Sequence, residues 1–233
     1  MSHLINNELI WVSIPKCASF SIEAALRESK LKLELIDEND QTTHFHTPLN
    51  RCLEQWGNKE TICITRDWLS RWLSALNYTW DNIEFENKYY TPIRKWEDVD
   101  NEYLYKTFNT TFLNELHMIS DSIGKYGKNS AMKSCWFSLV NEEPNPLWSL
   151  SPGIDTLISQ RFYKSNKKCT YEFDISEIDK FTDFIEDRFG ERLIIQNTNR
   201  SSKRQNKIIV NDELKSFIWN NFEKRFDKKN VLI

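Results

Sequence analysis

The chain has 233 residues, of which 39% are hydrophobic and 13% aromatic, including nine tryptophans. This length fits one domain with a substantial core, and the apolar content excludes intrinsic disorder. The formal net charge of −3 excludes a global basic field that would attract nucleic acid or an anionic membrane, so an anionic ligand would have to be bound by a local site.

The cysteines and the polar N-terminal segment indicate the compartment. The five cysteines are scattered and form no CxxC pair: Cys17, Cys52, Cys63, Cys135 and Cys169. Their spacing predicts neither a zinc site nor a disulfide framework, and reduced thiols are typical of the cytoplasm. Residues 1–8 leave no room for a signal peptide, and no apolar run is long enough to span a bilayer. We therefore expect a soluble, cytoplasmic protein.

A strand, a short turn and a helix are predicted near the start of the chain. Residues 9–14 are apolar and rich in β-branched and aromatic side chains, which is typical of a buried strand. From Ser21 onward, good helix formers place Ile22, Ala25 and Leu26 on one apolar face. The turn between them covers residues 15–20.

This turn has the properties of a phosphate-binding loop. The first N–H groups of a helix have no partner within the helix, and the helix dipole favours an anion at the same point. Lys16 adds a positive charge, and Ser19 and Ser21 add hydroxyl donors. The local sequence alone therefore predicts an anion site here.

The rest of the chain alternates between predicted strands and helices. Further strands are expected at residues 32–36, 61–65 and 169–173. Further helices are expected at residues 51–56, 66–76, 101–123, 175–189 and 212–226. This alternation predicts an α/β fold, a three-layer sandwich with a mainly parallel central sheet. We expect a single domain over residues 1–233, with a substrate-side insertion around residues 78–150 that starts as an irregular aromatic stretch.

The predicted loop differs from the Walker P-loop of nucleotide-hydrolysing enzymes, GxxxxGK[ST]. Residues 15–20 contain no glycine, and Lys16 stands at the start of the loop. No strand ending in aspartate offers a Walker-B ligand for magnesium. These differences argue against an ordinary ATP-dependent kinase.

Two segments carry a resemblance to a different family. Ile14-Pro-Lys-Cys-Ala-Ser-Phe-Ser21 resembles the 5′-phosphosulfate loop of sulfotransferases that use 3′-phosphoadenylyl sulfate (PAPS). Thr65-Arg-Asp-Trp-Leu-Ser-Arg-Trp-Leu-Ser74 is similar to their 3′-phosphate motif, Arg-Asp-Pro-x-x-Arg-x-x-Ser. Residues 170–173 and 199–201 match the family more weakly. Trp68 stands where proline is usual, and Phe20 where threonine or a small residue is common.

The resemblance implies a P-loop-NTPase-like sulfotransferase fold. It also implies transfer of a sulfuryl group from PAPS to a hydroxyl or amine of a carbohydrate or small-molecule acceptor, with release of PAP and no metal. Lys16 is then expected to neutralise the bridging oxygen, and Arg66 and Ser74 to hold the 3′-phosphate. The residues expected to bind the nucleotide are Lys16, Cys17, Ala18, Ser19, Phe20, Ser21, Arg66, Ser74, Asn199, Arg200, Ser201 and Lys203.

The acceptor needs a general base, which is most often histidine or a carboxylate. His46 is the first candidate, because related carbohydrate sulfotransferases often carry a histidine after the second strand. His44 is an alternative, and Asp81, Glu84 and Glu86 are reserve candidates.

Other interpretations of these segments stay open from the sequence. Arg66 also suits an ion pair at the start of a helix, and residues 199–203 also suit a solvated loop. The aromatic residues suit sugar rings or a core equally. At the level of function, the alternatives are a P-loop-like kinase and a nucleotide-binding module without a catalytic base.

Overall fold

The computed structural model of the protein describes residues 2–36, 46–86, 95–110, 112–114, 116–118, 120, 154–196 and 206–224. Within these residues the chain has an α/β fold, as predicted. The strands are β1 (His3–Ile5), β2 (Leu9–Trp11), β3 (Leu33–Leu35), β4 (Glu60–Thr65) and β5 (Tyr171–Asp174). The helices are α1 (Ser19–Glu28), α2 (Leu49–Trp56), α3 (Trp68–Glu86), α4 (Asn101–Thr107), α5 (Gln160–Tyr163), α6 (Ile178–Phe189) and α7 (Asp212–Ile218).

The sheet is mixed, which corrects the prediction of a mainly parallel one. Its strand order is β3-β1-β2-β4-β5. β2 pairs in parallel with β4, and β4 with β5, whereas β1 is antiparallel to both of its neighbours. Among the described strands, β2, β3, β4 and β5 therefore run in the same direction. β1 lies between β3 and β2 and runs in the opposite direction.

Strand β1 lies in the segment that the sequence analysis treated as a polar N-terminus. Asn6 and Asn7 have positive φ angles of 49° and 59°, and the Glu8 N–H donates to the Ile5 carbonyl over 2.9 Å. Asparagine tolerates this left-handed conformation, which two-residue hairpin turns require. Leu4 and Ile5 are fully buried. The strand was missed because three residues are too few to produce a periodic pattern.

Two predicted helix ends are confirmed by the backbone conformation. α2 stops at Gly57 (φ 76°) and α6 at Gly190 (φ 70°). Both conformations lie in the region that glycine adopts without a steric penalty. The apolar face predicted for α1 is also confirmed, since Ile22, Ala25 and Leu26 are all buried.

Two helix lengths differ from the prediction. α3 continues to Glu86, so the stretch predicted to be irregular from residue 78 begins as helix. The long helix predicted for residues 101–123 is interrupted: α4 ends at Thr107, and helical residues resume after Asn109. The Asn109 side chain accepts a hydrogen bond from the Phe112 N–H at 3.1 Å, which caps the new helical segment. The predicted features at residues 37–45, 121–153 and 197–205 lie outside the described residues.

The described residues form two compact units. The first contains the whole sheet and comprises residues up to Asp67 and those from Gln160 to residue 196. In its core Trp11 packs against Phe181, with the ring centroids 5.4 Å apart. The second contains α3, α4 and α7. Trp72 packs there against two phenylalanine rings, and Trp80 and Trp96 are buried, so these tryptophans serve as core. The single-domain organisation and the insertion at residues 78–150 stay predictions.

Among the described helices, none combines the length and the hydrophobicity that a membrane-spanning segment needs. The cytoplasmic location stays a prediction.

Buried His3 gives the fold a predicted pH dependence. Its side chain is 1% exposed, lies 3.9 Å from Glu23, and burial lowers its pKa from 6.5 to about 4. As the pH falls below about 6.5, the unfolded chain binds a proton that the folded chain does not bind until about pH 4. The free energy of unfolding should therefore decrease by roughly 3 kcal/mol across that interval because of this group alone.

Urea unfolding at pH 7, 6 and 5 measures this effect. In His3→Leu the decrease should be smaller than in the wild-type protein, whereas His117→Gln, at a half-buried histidine of the second unit, should follow the wild type. An unchanged pH dependence in His3→Leu would contradict the role of His3.

Candidate anion-binding site

The loop between β2 and α1 is held in a left-handed conformation without any glycine. Lys16 has a φ of 62° and Ala18 a φ of 56°, and φ changes sign at each step because Cys17 lies between them with a negative value. Such an alternation is typical of backbone loops that bind anions, and in this loop the Cys17 N–H donates to the Ile14 carbonyl at 3.4 Å. Each non-glycine residue in this conformation costs about 1–2 kcal/mol, so the surrounding structure must stabilise the loop.

The N-terminus of α1 adds further donors to the loop. Its first backbone hydrogen bond runs from the Ile22 N–H to the Ala18 carbonyl at 3.0 Å, so the N–H groups of Ser19, Phe20 and Ser21 precede the helical ladder. The first turn contains no acidic residue. The positive end of the helix dipole is therefore not neutralised by a side chain of that turn, which favours an external anion.

The sheet brings a second predicted segment to the same edge. β2 and β4 are parallel, with Trp11 opposite Ile62, so the loops that follow them leave from the same edge of the sheet. The ladder continues one step further, because the Val12 N–H donates to the Ile62 carbonyl at 2.9 Å. Arg66 follows directly after β4 and is half-buried. Ligands of α/β sheets bind at this edge, outside the carboxyl ends of the strands.

Gln160, at the start of α5, connects the two loops. Its Oε1 accepts from the Arg66 N–H at 3.3 Å, and its Nε2 donates to the Arg66 carbonyl at 2.8 Å. The same Oε1 lies 3.9 Å from the thiol of Cys17. Gln160 could not be predicted from the sequence, because a single glutamine far along the chain carries no local signal. Its contacts join the loop of Lys16 to the loop of Arg66.

The neighbouring strand places a carboxylate near Arg66. Asp174 ends β5, in register with Thr65, the residue before Arg66, so the expectation that no strand ends in aspartate is wrong. The hydroxyl and N–H of Ser176 donate to this carboxylate at 2.6 and 2.9 Å, and together with the charge of Arg66 they hold the pKa of Asp174 below its ordinary value. The Asp174 carboxylate is thus a counter-charge within electrostatic reach of Arg66, and an anionic ligand would compete with this carboxylate for the arginine.

His46 lies beside the end of β2, although it follows more than thirty residues later in the chain. Its Nδ1 is 3.0 Å from the carbonyl oxygen of Ser13 and 3.0 Å from the Ser13 hydroxyl. A protonated Nδ1 that donates to the carbonyl makes Nε2 the basic nitrogen of the ring. Tyr163 contacts the ring edge-on, with the centroids 5.9 Å apart. These contacts fix the orientation of the imidazole beside Ser13, which lies three residues before Lys16 in the chain.

The other predicted site residues have different surroundings. The side chain of Cys17 is 1% exposed, and those of Ser19 and Ser21 are 7% exposed, whereas Phe20 is 62% exposed. Ser74 is half-buried on α3, in the second unit. The following predicted residues lie outside the described part of the chain: His44, Asn199, Arg200, Ser201 and Lys203.

The fold and these contacts define an α/β protein with a candidate anion site between a strand and a helix, a nearby arginine and an oriented histidine. No family model matches the chain, and no curated protein or solved structure matches it either. The family resemblance of the two motifs therefore stays a prediction from their residues.

Replacing Gln160 with alanine should weaken the site as well as the fold. The substitution removes two hydrogen bonds to the backbone of Arg66, which should lower the free energy of unfolding by about 1–3 kcal/mol. Affinity for a nucleotide should fall at the same time, because the two loops lose their common partner. Urea unfolding and calorimetric titration measure the two effects. Gln55→Ala, at an exposed glutamine of α2, is the matched control. An unchanged stability and affinity in Gln160→Ala would contradict this connecting role.

Proposed function

We propose that the protein is a PAPS-dependent sulfotransferase that transfers a sulfuryl group to a hydroxyl or amine of a carbohydrate or small-molecule acceptor and releases PAP. The observation that carries the proposal is the left-handed loop at Lys16 and Ala18, with His46 held 3.0 Å from Ser13 beside it. An anion cradle next to an oriented base is what in-line transfer of a charged group requires. The proposal includes a three-layer, P-loop-NTPase-like arrangement of the fold.

The loop is proposed to bind the 5′-phosphosulfate. The N–H groups of Ser19 to Ser21 precede the helical ladder of α1 and would donate to the 5′-phosphate. Lys16 is half-buried at the start of this turn and brings a positive charge to it. During transfer, negative charge grows on the oxygen between sulfur and phosphorus. The role of Lys16 is to stabilise that charge.

His46 is proposed as the general base. The carbonyl of Ser13 accepts from Nδ1, so Nε2 is the nitrogen that removes the acceptor proton. This division of the two ring nitrogens also orients the imidazole, because rotation would break the hydrogen bond. The adjacent edge of Tyr163 restricts the ring further.

Arg66 is proposed to hold the 3′-phosphate. A guanidinium at the carboxyl end of a parallel strand suits phosphate, because it offers several donors in one plane. Asp174 lies within electrostatic reach of Arg66, and the 3′-phosphate would compete with it for the guanidinium. The remaining residues proposed to bind the nucleotide are supported by the motifs alone. They are Ser74, Asn199, Arg200, Ser201 and Lys203.

A thermal-shift screen with PAP, PAPS, ATP and ADP, each with magnesium and with EDTA, tests the proposal. A ligand at 100 times its Kd stabilises a protein by about 2.7 kcal/mol, which corresponds to a rise in Tm of about 5–10 °C for a chain of this size. We expect PAP to give this shift in EDTA.

This screen separates the proposal from a kinase, and an assay of PAPS conversion separates it from a non-catalytic module. A kinase would be stabilised most by ATP with magnesium, and that result would contradict the proposal. A non-catalytic module would bind PAP but would not convert PAPS to PAP in the presence of a panel of hydroxyl and amine acceptors.

A further inference from the structure

Two cysteines that are far apart in the sequence meet in the interior of the first unit, next to a glutamate. Cys63 lies in β4 opposite Glu172 of β5, and Cys169 comes two residues before β5 begins. The two sulfurs and a carboxylate oxygen all lie within 4.8 Å of one another. Cys63 is 0% exposed and Cys169 2%. Among the described residues, this is the one group of three such side chains with metal-ligand spacing.

The two thiols act as a pair rather than as two inert core residues. A hydrogen bond joins the two thiols, so the two sulfurs lie side by side in the core. Thiolates are the form in which cysteine binds soft metal ions.

Glu172 is held in place by two further contacts. One carboxylate oxygen accepts from the Cys169 N–H at 2.8 Å, which fixes the glutamate beside that thiol. The Lys164 ammonium lies 2.9 and 3.0 Å from the two carboxylate oxygens. The glutamate and the lysine are both largely shielded from solvent, at 17% and 18% exposure. The Lys164 ammonium therefore already forms an ion pair with the Glu172 carboxylate.

We propose that Cys63, Cys169 and Glu172 bind a thiophilic divalent cation with a filled d shell, of which Zn²⁺ is the common biological member. Zinc takes cysteine sulfur at about 2.3 Å and carboxylate oxygen at about 2.0–2.2 Å, in tetrahedral geometry. Two sulfurs on one such ion lie about 3.8 Å apart, so the cluster needs only a small contraction. Three side chains supply ligands, and the fourth position goes to water or a backbone group.

The charges balance without any redox step. On binding, each thiol releases its proton to solvent, so two thiolates and one carboxylate face a doubly charged ion. The remaining single negative charge equals that of Glu172 beside two neutral thiols, so binding leaves the charge of the cluster unchanged. Lys164 only gives up its contact with the ligating oxygen. This site is separate from the anion-binding loop, and the inference does not depend on the proposed function.

Cadmium titration of the reduced full-length chain, after removal of the reductant, tests the site. The readout is the ultraviolet charge-transfer band from thiolate to Cd²⁺, followed to its equivalence point. We expect one ion per chain in the wild type and loss of that band in Cys63→Ala and Cys169→Ala. Cys52→Ala, at an equally buried cysteine of α2, should keep the band. Absence of a band in the wild type, or its survival in both cysteine variants, would overturn the proposal.

Two further variants keep the proposal falsifiable if the cysteine variants do not fold. Glu172→Gln should weaken Zn²⁺ binding by about tenfold or more in competition with a chelating dye, because a charged ligand is lost. Lys164→Met should instead tighten it, because the ammonium no longer competes for the carboxylate. Affinities that change in neither variant would overturn the proposal. So would a wild-type chain whose two thiols pair as a disulfide and take up no ion after reduction.

Discussion

Replacing Lys16 with methionine is expected to lower the rate of sulfuryl transfer by about 10²–10³-fold, the usual cost of removing one group that stabilises transition-state charge. Methionine keeps the unbranched stem and the Cβ atom, so the cost of the positive φ at this position (62°) is nearly unchanged. The fold of the loop should therefore survive. PAP binding should weaken by less than tenfold, because the backbone N–H groups of the loop are unaltered.

Initial rates of PAP release from PAPS and calorimetric titration with PAP measure the two effects separately. Lys30→Met, at an exposed lysine two residues beyond the end of α1, is the control and should match the wild type in both. Equal losses of binding and of rate in Lys16→Met would contradict a role in the transition state. They would indicate a residue that only binds the nucleotide.

Replacing His46 with asparagine is expected to lower the rate by about 10²–10⁴-fold while PAP binding stays the same. The asparagine amide can still donate to the Ser13 carbonyl as Nδ1 does, but it offers no basic nitrogen in place of Nε2. The variant thus removes the proposed base and keeps the hydrogen bond that positions it.

His117→Asn, at a histidine of the second unit, is the control for His46→Asn and should leave the rate unchanged. An unaltered rate in His46→Asn, with loss of rate in His44→Asn, would assign the base to His44. A loss of PAP affinity in His46→Asn would indicate that the imidazole binds the nucleotide instead.

The elements next to the candidate site could be predicted because their signals are local. The buried strand β2, the glycine-terminated α2 and the apolar face of α1 follow from periodicity and from end signals within a few residues. The anion site followed from the same short segment, because helix ends carry their own unsatisfied donors. The left-handed conformation of Lys16 and Ala18 is the exception, because no glycine signals it in the sequence.

What the sequence did not predict depends on residues that are far apart in the chain. β1 is three residues long and is stabilised by its neighbours β2 and β3 rather than by a pattern of its own. The contacts of Gln160 with Arg66 and of His46 with Ser13 join segments whose meeting is set by the sheet order. The pairing of Cys63 with Cys169 was missed for the same reason, since the spacing of cysteines reveals a metal site only when the ligands are close in sequence.

Hydrogen exchange followed by mass spectrometry, with PAP added in EDTA, tests the central claim most directly. If PAP binds in the loop between β2 and α1, peptides that cover residues 16–21 should exchange their amide hydrogens more slowly, because the N–H groups of Ser19 to Ser21 then donate to a phosphate. Peptides from α6 provide the internal control and should not change. Unchanged exchange at residues 16–21 under saturating PAP, or protection that appears only with ATP and magnesium, would contradict the account.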